Sequence, residues 1–282
     1  MPTRRWLAPA IGLSAVALAA GTSTAAFAAV PARDDAASAG ATSQHHVHSR
    51  GDVMRHHGTS AAHLTPVSSV HHNGKIVLHD TSDNWAGYAA TGSTYTSVSA
   101  SWVQPSVSCG SEDTYSSFWV GIDGDGTSSV EQTGTEADCS SGQAEYSSWY
   151  EMYPANPVNF SDTVTPGDSF TASVSDDGSG TFTLTLTDNT AGWSETTNQS
   201  SSTAQDGSAE VIAEAPYSNG VLPLSDFGTV DFTGATANGS PIGDASPTQI
   251  NLVSDGGVTE ATTSGLDSSG EDFSVTWEST GS

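Results

Sequence analysis

Thr181-Phe-Thr-Leu-Thr-Leu-Thr187 alternates without a fault over seven residues. In an extended chain successive side chains point to opposite faces, so Phe182, Leu184 and Leu186 share one side and four threonines the other. A helix would scatter both sets around its surface. The stretch therefore reads as a strand with one buried face. Just upstream, Ser175-Asp-Asp-Gly-Ser-Gly180 is turn chemistry, and residues 169–174 make a hairpin partner. Further out, strand-like runs recur at residues 94–103, 118–120, 208–213, 229–232, 249–253 and 273–277. Gly, Asp and Ser turns separate them, and no helix signal exceeds two turns. Many short strands predict an all-β domain, a sandwich or jelly roll of antiparallel sheets.

Charge divides the 282 residues in two. All six Lys and Arg (Arg4, Arg5, Arg33, Arg50, Arg55, Lys75) and all nine His lie before residue 80. Of 32 acidic residues only Asp34, Asp35 and Asp52 precede it, so 29 carboxylates follow with no basic side chain. A domain of that kind cannot neutralise a phosphate backbone, which excludes nucleic acid as a partner. Anionic membranes are poor partners for the same reason. Without His, neither a Ser/His nor a Cys/His pair can be built, and a His-ligated zinc site is ruled out. Crowded carboxylates also repel one another, which predicts greatest stability at mildly acidic pH.

Residues 1–28 have the order of an export signal: Arg4 and Arg5, a short apolar run, then Ala26-Phe27-Ala28. The product is expected to be secreted. Residues 29–79 are rich in Ala, Ser and His, and fit either a linker disordered on its own or a pro-segment. Their positive charge, set against an acidic domain at 80–282, favours the pro-segment. His45-His46-Val-His48 also has metal-binding chemistry, a weaker reading. In an exported chain Cys109 and Cys139 are expected to form one disulfide. Closing a loop of that length is worth roughly 3–4 kcal/mol in the chain-entropy model.

Carboxylates, amides and hydroxyls are what remains for catalysis. Two carboxylates can hydrolyse a glycoside. Alternatively, one carboxylate can activate water against a peptide carbonyl while an amide stabilises the oxyanion. In Ala209-Glu-Val-Ile-Ala-Glu214, Glu210 and Glu214 share a face but lie about 13 Å apart at about 3.3 Å per residue. Neither can be the other's hydrolytic partner. Glu131, Gln132 and Glu151 are the candidates, and only one of the adjacent pair Glu131 and Gln132 can face a groove.

Trp119-Val-Gly-Ile-Asp-Gly124, Gln132-Thr-Gly134, Trp149-Tyr-Glu-Met-Tyr-Pro154 and Ala209-Glu-Val-Ile-Ala-Glu214 together resemble the motif set of the glutamic peptidases called eqolisins. Asn84-Trp85-Ala-Gly-Tyr88 and residues 222–232 extend the likeness. The resemblance implies a lectin-like, concanavalin-type β-sandwich of two antiparallel sheets, one curved into a substrate groove. It implies an acid endopeptidase acting on protein or peptide substrates, without metal or cofactor; the chain is separately expected to be a monomer made with its own pro-segment. It assigns catalysis to Gln132 and Glu214, with Trp119, Asp123, Trp149 and Glu151 lining the groove. The chain departs from the family at Ser147, where an Asp is usual, and at the charged Glu131. A glycosidase or a carbohydrate-binding module on the same sandwich is the alternative.

Overall fold

The three apolar residues of the Thr181–Asp188 strand are fully buried, and its threonines lie at the surface. The structure, a computed structural model, describes residues 68–72 and 75–281, with side-chain surroundings from residue 78. The expected export signal, and residues 29–67 of the expected pro-segment, lie outside the described residues.

Seventeen strands occur among the described residues. They are β1 (Ser68–His72), β2 (Lys75–Ser82), β3 (Trp85–Thr91), β4 (Ser97–Val103), β5 (Ser117–Ile122), β6 (Val130–Ser140), β7 (Gln143–Tyr153), β8 (Val158–Asn159) and β9 (Ser169–Asp176). There follow β10 (Thr181–Asp188), β11 (Trp193–Ser200), β12 (Ser208–Glu214), β13 (Thr229–Ala237), β14 (Ser240–Pro241), β15 (Thr248–Val253), β16 (Thr259–Thr263) and β17 (Phe273–Trp277). One 3-10 turn, Ile242–Ala245, interrupts them. No helix among the described residues is long and apolar enough to cross a membrane.

Antiparallel pairing runs β11–β10–β9–β4–β13–β17–β16–β15–β3–β12–β5–β6–β7–β8. This ribbon folds back on itself. β4, β9 and β10 lie against β5, β6 and β12, with no ladder between the two groups among the described residues. The main core fills the space between these layers, with Trp102, Phe118, Val120, Phe170, Leu184 and Val211 among its members. A second apolar cluster, Trp85, Ala89, Trp119, Val130, Trp149, Ile212 and Ile250, covers the other face of β3, β12, β5 and β6.

Several strands differ from the sequence reading, among them the first two and β11. The strands begin at Ser68, before the compositional boundary at residue 80. β2 runs parallel to β15 and carries β1 as a hairpin partner. A boundary in charge need not be a boundary in backbone pairing. β11 (WSETTNQS) has no apolar alternation, and β10 supplies its order through hydroxyl pairs at Thr185–Thr196 (3.1 Å) and Thr187–Ser194 (2.8 Å). Similar pairs continue across the outer face at Ser101–Thr171 and Ser99–Thr236, both 2.8 Å. The expected disulfide joins Cys109 and Cys139, bringing the segment before β5 onto β6.

The two faces of β10 should respond differently to truncation. Leu184→Ala should cost about 2–5 kcal/mol by leaving a cavity in the main core. Thr185→Ala, which removes one surface hydroxyl pair, should cost under about 1 kcal/mol. Urea unfolding of both variants checks this, and equal losses would contradict the layered arrangement.

Candidate active site

Register places the site. β3, β12, β5, β6 and β7 are successive neighbours. Glu214 stands opposite Trp85 on one side and Ser117 on the other. Trp119 stands opposite Ile212 and Gly134. Gln132 stands opposite Gly121 and Glu151. Since Phe118, Val120 and Val211 point into the main core, their neighbours Trp119, Ile212 and Glu214 point the other way. Gln132, Trp149 and Glu151 share that second face by the same parity. Gly134 leaves room for it, because a Cβ there would run into the Phe118 carbonyl oxygen and the base of the Trp119 side chain.

Glu214 is fully buried. The Trp119 indole donates Nε1–H to Oε2 at 2.7 Å, and the Asn84 amide donates Nδ2–H to Oε1 at 2.8 Å. Asn84 is itself anchored, its carbonyl accepting the Ala215 N–H at 2.9 Å. The Trp85 ring meets the Trp119 ring edge-on, with centroids 5.2 Å apart. Burial pushes the Glu214 pKa well above the usual carboxylate range. The Trp119 donor pulls it back, and the nearby Glu151 charge adds to the rise. Gln132 donates Nε2–H to Glu151 Oε2 at 2.8 Å, which fixes which end of the amide is nitrogen.

Five of the six residues expected at the site thus share one face: Gln132, Glu214, Trp119, Trp149 and Glu151. Asp123 has other contacts. Its carboxylate accepts the backbone N–H groups of Gln205, Asp206 and Gly207 at 2.8, 3.1 and 2.8 Å, tying down the turn that leads into β12. Ser147 donates to Glu136 Oε2 at 2.6 Å, so a hydroxyl–carboxylate bond stands where the family pattern has an Asp. Asn84, Trp85 and Glu136 were not singled out for roles here. Asn84 lies 130 residues from its partner, and only the pairing of β3 with β12 brings them together.

Glu131 faces the main core, and Glu210 lies two residues from Ile212 on the Glu214 face; both are fully buried. Burial pushes Glu131 up to about 8, and it pushes Glu210 well above its usual value. Ser129 and Ser201 lie near Glu131, and Ser208 near Glu210, without the alignment of full hydrogen bonds. The Asp125 N–H instead donates to Ser208 Oγ at 3.2 Å.

One sheet face thus carries a buried carboxyl held by neutral donors and an amide of fixed orientation. The Peptidase A4 family pattern matches residues 83–277, and the chain belongs to that family. It is 35% identical to aspergillopepsin-2 of Aspergillus niger over 212 residues, covering 65% of this chain and 75% of that protein. Among solved structures, scytalido-glutamic peptidase with a transition state analog inhibitor matches at a TM-score of 0.60 and 30% identity, over 70% of this chain and 98% of that one. SCP-B, described as a member of the Eqolisin family of peptidases and bound to the tripeptide Ala-Ile-His, matches at 0.57 and 28%, with the same coverage.

The raised carboxyls set a pH dependence. A carboxyl whose folded pKa exceeds its unfolded value gives stability that is complete below the unfolded pKa and is lost as pH rises through the folded one. For Glu131 that window runs from about 4.5 to about 8. The melting temperature should fall across it, and Glu131→Gln should flatten the fall. A wild-type melting temperature that climbs from pH 4 to pH 8 would refute this.

Proposed function

We propose that this chain is a secreted endopeptidase that works at acidic pH through Glu214 and Gln132. The family membership supports peptide-bond hydrolysis. The observation that carries the residue roles is the pairing of a cation-free buried carboxylate with an amide of fixed orientation on the same sheet face. An ionised carboxylate has about four acceptor positions, so Glu214 can hold a water while Trp119 and Asn84 donate to it. Glu214 takes a proton from that water as its oxygen attacks the scissile carbonyl carbon. The carbonyl oxygen becomes an oxyanion, and a Gln132 N–H stabilises it. Glu214 then passes the proton to the amine nitrogen as the C–N bond breaks. Trp119 and Trp149 offer flat apolar area to substrate side chains. The export signal at residues 1–28 supports secretion, and the basic segment at 29–79 supports synthesis as a precursor.

Glu214→Gln should fold and cleave nothing, because an amide cannot take the proton. Gln132→Glu should lose at least about 100- to 1,000-fold in rate, since it replaces an oxyanion donor with an acceptor. Digestion of a denatured protein at about pH 4 by wild type and both variants, folding being checked by circular dichroism, tests the roles. Near-wild-type cleavage by either variant sinks them.

The low-pH limb of the rate profile should report ionisation of Glu214. Trp119→Phe removes a hydrogen bond to the charged form, so that limb should move to higher pH. An unmoved limb would mean that another group sets it.

A further inference from the structure

A cavity of ≈ 450 Å³ lies under the turn between β15 and β16, within the usual size of small-ligand sites. None of the residues assigned above to peptide hydrolysis lines it. Leu222, Pro223 and Val258 form apolar walls, and Asp83, Asp255 and Glu260 bring carboxyl groups. Glu260 is 4% exposed, and its carboxyl has no hydrogen-bond donor among the described residues. Nearby donors are engaged elsewhere: Thr262 bonds Glu278, Ser279 bonds the Thr259 carbonyl, and the Glu278 and Ser279 N–H groups go to the Glu260 carbonyl. The Gly281 backbone packs directly against the carboxyl, where a Cβ would collide with it.

A buried carboxylate needs a partner, and this domain contains no basic side chain from residue 80 onward. A cation to pair with its charged form must therefore come from outside residues 80–282. Apolar walls above an anionic floor suit a long aliphatic stem with a charged head. We propose that this pocket binds one lysine or arginine side chain of a polypeptide, with Glu260 as its anion. The choice of a polypeptide rests on the peptidase reading. The pocket adjoins the hydrolytic site through the chain itself. Asp83 precedes Asn84, the donor to Glu214, and Leu222 donates its N–H back to the Pro216 carbonyl in the segment that leaves Glu214.

Occupancy then depends on pH. Burial, and next the Asp83 charge, push Glu260 up to about 7. The titratable groups lining the cavity are Asp83 from the β2–β3 link, Asp255 from the β15–β16 turn and Glu260 itself; the 221–223 and 280–281 segments bring none. Glu260 is charged near and above neutrality and takes up a proton as pH falls. The basic side chain is held near pH 7 and released in acid.

The test is direct binding to the full chain carrying Glu214→Gln, which cannot turn the probe over. Two capped tripeptides, one with a central lysine and one with norleucine, are titrated by calorimetry at pH 7.0 and 4.5. At pH 7.0 the lysine peptide should bind about ten-fold or more tightly, and at pH 4.5 the two should be nearly equal. Adding Glu260→Gln should abolish the difference at pH 7.0, and Glu260→Asp should keep part of it. No lysine preference at pH 7.0, or one that survives Glu260→Gln, overturns the proposal. Either result stands whatever Glu214 does in catalysis, which the digestion assay decides separately. A last arm distinguishes the source of the side chain. If Arg50→Gln with Arg55→Gln tightens binding of the added lysine peptide, the chain's own arginines occupy the pocket. If affinity is unchanged, the pocket serves a substrate side chain.

Discussion

A carboxylate buried where no cation can reach it has three ways to exist, and this domain uses all of them. It can accept hydrogen bonds from neutral donors that offset part of the rise burial imposes, as Glu214 does from Trp119 and Asn84. It can accept a turn's worth of backbone N–H groups, as Asp123 does from residues 205–207. Or it can stay protonated, the course that burial imposes on Glu131 and Glu210. Ion pairing, the usual remedy, is excluded by a sequence without Lys, Arg or His after residue 79.

The first two remedies require donors at fixed positions, and for Glu214 the ladders set them. β12 is flanked by β3 and β5, so both hydrogen bonds to Glu214 arrive from its immediate neighbours. A slip of one residue in either ladder would turn Glu214 into the main core and remove it from both donors. Glycines protect that register. A Cβ at Gly87 would meet the Val211 carbonyl oxygen, and one at Gly134 the Phe118 carbonyl oxygen. The closeness of these strands is thus specified by side chains that are missing.

Much of this was legible in the sequence, and what was not has physical reasons. β10 could be read because its alternation separates apolar from polar residues completely. β17 could be read over Phe273–Trp277 for the same cause. β11 could not, since it contributes little to the core and its partner supplies its order. Spacing left open whether Glu131 or Gln132 faces the substrate side, because parity needs an anchor in space. The core positions of Phe118 and Val120 provide it. The motif resemblance brought Gln132 and Glu214 together across a separation of 82 positions, which no local propensity could do. It gave no warning that Asp123 would be taken up by the 205–207 turn, nor that Ser147 would bond to Glu136.

The hydroxyl pairs that cross the outer face of β4, β9, β10, β11 and β13 are cohesive contacts between groups that never ionise. Acid cannot protonate them and salt has no charge there to screen. The same layer also carries Glu195 on β11, a carboxyl raised by its hydrogen bond with Asp162, so it joins contacts indifferent to pH with groups that are not. The hydroxyl network is thus the part of that layer whose strength does not follow the buffer.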